Sequence, residues 1–105
     1  MTLNITHRGI ELTPAIKAYV EEKMASLEKY SADIRHADVE VGMTNKHHQK
    51  GDIFECRVVL QVEGDVMRIE REAEDLYKSI DKVRDHLRVE LVSRKERLND
   101  KKREG

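Results

Sequence analysis

Apolar residues recur along this chain with two different periods. Leu3 and Ile5 alternate with Asn4 and Thr6. The same period of two returns at Ala37, Val39, Val41 and Met43, at Phe54, Cys56, Val58, Leu60 and Val62, and at Met67 and Ile69. Successive strand side chains point to opposite faces, so these runs predict strands over 2–7, 34–44, 53–63 and 66–72. Each has one apolar and one polar face. Glu63-Gly64-Asp65 suits a tight hairpin turn between the last two. Between the first two strands, Thr13-Pro14 supplies an N-cap and a first helical residue. Ile16, Tyr19, Val20, Leu27 and Tyr30 then make one face of a helix ending near Tyr30. Lys23 falls inside that face and needs either a route to solvent or a partner. From Asp75 to Leu98 the period is helical throughout. Leu76, Ile80, Val83, Leu87, Leu91 and Leu98 form one narrow stripe on a rod of roughly 36 Å. Residues 99–105 contain no apolar side chain and are expected to fray as a flexible basic tail.

The resulting order is β-α-β-β-β-α. A right-handed crossover makes the first two strands parallel, and short turns make the later pairs antiparallel. One polar face per strand means that the sheet is covered on one side only. The expected fold is therefore an α+β two-layer sandwich: a four-stranded mixed sheet with both helices on one face, in a single domain over 1–98.

Composition changes little in this picture, but charge distribution does. Charged residues reach 39%, yet the 38% that are hydrophobic are periodic, which argues against disorder. Net charge is −1 and by itself predicts no polyanion partner. Residues 1–73 carry 10 Lys and Arg against 13 Asp and Glu, a balance of −3, while residues 74–105 carry 10 against 8, a balance of +2. The stripe of the last helix is flanked by Lys78, Lys82 and His86 on one side and by Arg84, Arg88 and Lys95 on the other. Arg94, Arg97 and Lys101 extend the cations toward the end. Such an end is either a polyanion footprint or a solvated helix with mixed i,i+4 pairs.

Other chemistry is thin. There is no Gly-rich phosphate loop, no GxSxG, no HExxH and no cysteine pair, so no residues support an enzyme or a cofactor. His47-His48 lacks the third ligand and supporting shell of a metal site, which leaves a solvated loop, with Lys46 and Lys50 beside it. Cys56 lies in an alternating run and reads as a buried thiol. The longest apolar run is Val58-Val59-Leu60, far short of a membrane span, and a cytoplasmic location is expected. With four aromatics (Tyr19, Tyr30, Phe54 and Tyr77), a base-stacking sheet is not expected. Val89 and Val92 near the polar side of the last helix are either isolated surface apolars or a small partner contact.

Two segments carry a family resemblance. MTLNIT followed by ELTPAIKAYVEEKMASLEKY, and EDLYKSIDKVRDHL near the C-terminal end, resemble the first strand and helix and the second-helix signature of the ribosome hibernation-promoting and ribosome-associated inhibitor family. The chain resembles the short type, without a second, dimer-forming domain. The resemblance implies a factor of stressed or stationary cells that binds the small ribosomal subunit and its rRNA. It would sit in the mRNA channel at the tRNA A and P sites and stop translation. It further implies no membrane, no small-molecule substrate and a monomer off the ribosome. By matching position it places basic or polar contact residues at Arg8, Lys23, Lys82, His86, Lys95 and Arg97, and helix-seating roles at Asp75, Tyr77 and Asp81. Val89, Glu90 and Val92 depart from that pattern and shift the expected contacts toward Arg88, Arg94 and the tail. The competing readings are a general double-stranded RNA module and a small protein-binding scaffold.

Overall fold

A computed structural model describes residues 1–44, 51 and 53–104. Each alternating run is a strand: β1 (Thr2–Arg8), β2 (Ile34–Thr44), β3 (Ile53–Val62) and β4 (Asp65–Ala73). They form one sheet in the order β1-β2-β3-β4. β1 runs parallel to β2, with Leu3 opposite Ala37 and Ile5 opposite Val39. β2 with β3 and β3 with β4 are antiparallel. Where β1 ends against Gly42, a Cβ would stand 2.8 Å from the Arg8 carbonyl oxygen, so only glycine fits there. Gly64 turns the β3–β4 hairpin at φ 76°, the left-handed region.

The first helix, α1, spans Pro14–Ala25. Thr13 Oγ1 accepts from the Ile16 amide at 3.2 Å and so caps it. The helix does not continue to Tyr30 as its periodicity suggests. Residues Ser26–Tyr30 tighten into a 3₁₀ turn. Ser26 stands at the change, and its hydroxyl donates to the Lys23 carbonyl at 2.6 Å. The second helix, α2, spans Leu76–Glu104, six residues beyond Leu98. Asp75 Oδ1 accepts from the Tyr77 amide at 2.8 Å at its start.

Both helices pack on the same face of the sheet. Val20, Met24 and Leu27 meet Ala37, Val39, Val41, Cys56, Val58 and Leu60 from one side, and Ile80, Val83, Leu87 and Leu91 from the other, all fully buried. Met24, one turn beyond Val20, belongs to this core although the expected helix face omitted it. Two expected core positions differ. Phe54 is half-buried, at the end of the sheet where β3 begins. Leu98 is 45% exposed, whereas Leu91 two turns earlier is 1% exposed, so the platform under α2 ends between them.

Candidate nucleic-acid interface

The core stripe fixes how α2 lies, and that sorts its cations into two flanks. On the flank toward β4, Lys82 Nζ donates to the Glu72 carbonyl at 3.3 Å. His86 Nδ1 accepts from the Arg71 guanidinium at 2.9 Å, and His86 Nε2 lies 3.7 Å from Glu90. On the flank toward α1, Arg84 Nε donates to Ser26 Oγ at 3.0 Å and its Nη1 to Asp85 at 2.9 Å. Lys78, exposed, stands 3.8 Å from Glu74. Lys82 and His86 on one flank and Arg84 on the other follow the grouping read from the helical wheel.

One cluster locks α1 to α2. Asp81 accepts from the Tyr19 hydroxyl at 2.6 Å and pairs with Lys23 at 3.4 Å. Lys23 Nζ lies 5.1 Å from the centre of the Tyr19 ring, so the lysine inside the α1 face has found partners. Tyr77 meets Tyr19 edge to face at 4.8 Å. The bond to Asp81, with burial, pushes the Tyr19 hydroxyl up to about 12.

Arg94 is committed elsewhere. It donates to the Glu63 carbonyl at 2.7 Å and pairs with Asp33 at 2.9 Å, its side chain only 11% exposed. It stitches α2 to the β3–β4 turn and to the segment leading into β2. By contrast Arg88, Lys95, Arg97 and Lys101 are exposed, with no ion pair or hydrogen bond among the described residues.

Arg8 stands apart from all of these. It lies on the open face of the sheet, 3.7 Å from Glu40 and 3.8 Å from Glu55. Arg57 completes that network, 3.2 Å from both Glu55 and Glu70. Those acids, Glu70 foremost, hold the Arg57 guanidinium above its ordinary range. Glu55, Glu70 and Glu72 bring carboxylate oxygens within 4.8 Å of one another on this face, with the arginines offsetting their charge. His47, His48, Lys46 and Lys50 lie outside the described residues. Cys56 is fully buried, and burial, aided by Glu55, pushes its thiol up to about 12, which makes it unreactive.

The sequence reading missed two cations near α2. Arg71 projects to the helix side of β4, as its register opposite buried Cys56 could have signalled. Lys29 lies over the Tyr30 ring at 5.3 Å, on the flank that also holds Lys95. Val89 and Val92 are 53% and 39% exposed and share an open groove with Tyr30 and Arg88. What the helical side presents is positive charge on rigid elements, suited to phosphate groups. No described helix is long and apolar enough to cross a membrane.

A family model described as sigma 54 modulation protein / S30EA ribosomal protein matches residues 3–99. The chain is 32% identical over 100 residues to a ribosome hibernation promotion factor of Lactococcus lactis subsp. cremoris, covering 95% of this chain and 52% of that one. It is 31% identical over 98 residues to the ribosome hibernation promoting factor of Escherichia coli, covering 93% of this chain and 97% of that one. It thus spans about half the length of the first relative and nearly all of the second. Among solved structures, the N-terminal domain of Thermus thermophilus Protein Y aligns with a TM-score of 0.76 and 29% identity, covering 89% of this chain and 98% of that one. A ribosomal subunit interface protein from Coxiella burnetii shares the fold, with a TM-score of 0.75 at 18% identity over 90% of this chain and 98% of that one.

Proposed function

This chain belongs to the sigma 54 modulation protein / S30EA ribosomal protein family, and we propose on that premise that it is a cytoplasmic ribosome hibernation factor. Residues 1–98 form its ribosome-binding domain. It docks on the small subunit, in the channel for mRNA and the tRNA A and P sites, when cells are stressed or stationary, and it is a monomer off the ribosome. The observation that carries this reading is the set of cations without partners among the described residues, Arg88, Lys95, Arg97 and Lys101, along an exposed helix of a chain whose net charge is only −1.

Arg88 and Lys95 lie two turns apart on one flank, about 10 Å along the axis. Each can meet a separate phosphate, and a charge-assisted hydrogen bond of that kind is worth about 1.5–3 kcal/mol. The Tyr19–Asp81–Lys23 cluster and the Arg94 stitch keep the helices rigid, so little order is lost on docking. Folded RNA is recognised by shape and backbone charge, which requires no base-stacking aromatics on the sheet. Inhibition follows from occupancy of a site that substrates must enter, without chemistry.

Sucrose-gradient sedimentation with separated ribosomal subunits tests the reading. The protein should travel with the small subunit, and an excess of free duplex RNA should not displace it. Displacement by duplex RNA would favour a general RNA-binding module, and travel with neither subunit would favour a protein scaffold.

A further inference from the structure

Leu98 continues the apolar stripe of α2 but overhangs the sheet, 45% exposed. An open cleft of about 650 Å³ runs between this overhang and the segment 28–33. Tyr30 and Leu98 contribute its apolar wall. Its charge comes from Lys95 and Lys101, neither paired among the described residues, and from Lys29, with Glu28 offsetting one of the three. Arg94 at the base is neutralised by Asp33 and adds none. That base is fixed in place, because Arg94 also holds the Glu63 carbonyl.

A ligand for such a site needs an apolar flat body and a negative charge a short distance from it. A nucleotide has both, and the volume lies in the range of small-ligand clefts. A second copy of this chain fits poorly, since its own overhang would bring Lys95, Arg97 and Lys101 against these lysines. We propose that this cleft seats one unstacked nucleotide of single-stranded RNA, its base against Leu98 and Tyr30 and its phosphate on Lys95 and Lys101. The inference rests on the ribosomal reading only for the identity of the natural strand. It adds a contact that reads an extruded base to a surface otherwise built for phosphates.

The test titrates the full chain with AMP, UMP and inorganic phosphate while NMR follows the Leu98 methyls and the Tyr30 ring. AMP and UMP should shift both sets of signals saturably, AMP more strongly, while phosphate leaves them in place. Leu98→Ser should weaken AMP binding about tenfold, through loss of the apolar contact that the leucine gives the base. Lys95→Gln, an exposed site, should weaken it as well, and neither variant should change the melting temperature. Equal shifts with phosphate and AMP would overturn the proposal, as would undiminished AMP binding by both variants. Leu98 shifts that follow protein concentration without nucleotide would assign the cleft to a second copy and also overturn it. Normal sedimentation with ribosomes alongside absent AMP shifts would sink this inference alone. AMP shifts in a protein that sediments with no subunit would uphold the cleft and sink the ribosomal reading.

Discussion

Arg94 and Lys95 are neighbouring cations with different fates. Arg94 is spent inside the fold on Asp33 and the Glu63 carbonyl, while Lys95 is exposed and unpaired among the described residues. Arg94→Ala should therefore lower stability by about 2 kcal/mol, the worth of a charge-assisted bond. Lys95→Ala should stay within about 0.5 kcal/mol; urea unfolding of both variants measures the contrast. The Ser31 hydroxyl foremost, and then Arg94, hold the Asp33 carboxyl below its ordinary range, against the opposing cost of burial. A depressed folded value contributes stability in full above the unfolded value, about 3.9, and loses it as pH falls through the folded one. The stability gap between the native chain and Asp33→Asn should thus be constant from neutral pH to about 5 and close below about 4; a gap that widens in acid would remove Asp33 from this role. The sequence assigned Arg94 and Lys95 alike to RNA because charge and wheel position are local properties. The partners of Arg94 come from distant segments that only the fold brings near. Lys23 was more legible, since a lysine inside an apolar face announces a need for a partner, and Asp81 supplies it.

The long helix shows how far an element can be read from its own pattern. Period and stripe gave the helix, its buried face and both cationic flanks, because 3.6-residue geometry is set by the backbone. The end of the platform could not be read, because it depends on where the strands stop. Leu87 and Leu98 occupy the same stripe, yet Leu87 is fully buried and Leu98 is 45% exposed. Leu87→Ala should cost about 2–5 kcal/mol through reduced burial and a cavity. Leu98→Ala should cost no more than about 0.5 kcal/mol. Thermal melts that rank the two equally would mean that the overhang is packed in solution. The helix also runs on to Glu104, where the sequence reading stopped it for want of apolar residues. Lys, Arg and Glu are good helix formers without any core contact. In α1 the error ran the other way: the apolar period continued to Tyr30, but the regular helix ended at Ala25, where residues Ser26–Tyr30 tighten into a 3₁₀ turn.

For the whole molecule, a net charge of −1 conceals two unlike faces. The open sheet face pairs Arg8 and Arg57 with Glu40, Glu55 and Glu70. Arg8, which the sequence grouped with the helix cations, is paired within that network and belongs to a different surface, where Arg68 is exposed without a partner among the described residues. The helical side leaves Arg88, Lys95 and Arg97 without partners among the described residues. If those three meet phosphates, binding releases counterions, and log affinity falls linearly with log salt. Replacing all three by Glu should flatten that slope by about 2–3, at roughly 0.7–0.9 for each phosphate no longer neutralised. Affinity should drop by about 5–9 kcal/mol if the three interactions add. Folding should survive, because three exposed substitutions remove at most about 1.5 kcal/mol from a domain stability of about 5–15 kcal/mol. The measurement is binding to small ribosomal subunits at several monovalent salt concentrations with magnesium fixed, paired with thermal melting. A triple variant that melts normally and keeps both affinity and slope would place the ribosome-facing surface elsewhere. Lys78 and Lys82 would be the next to reverse, since one stands 3.8 Å from an exposed glutamate and the other is held only by a backbone carbonyl.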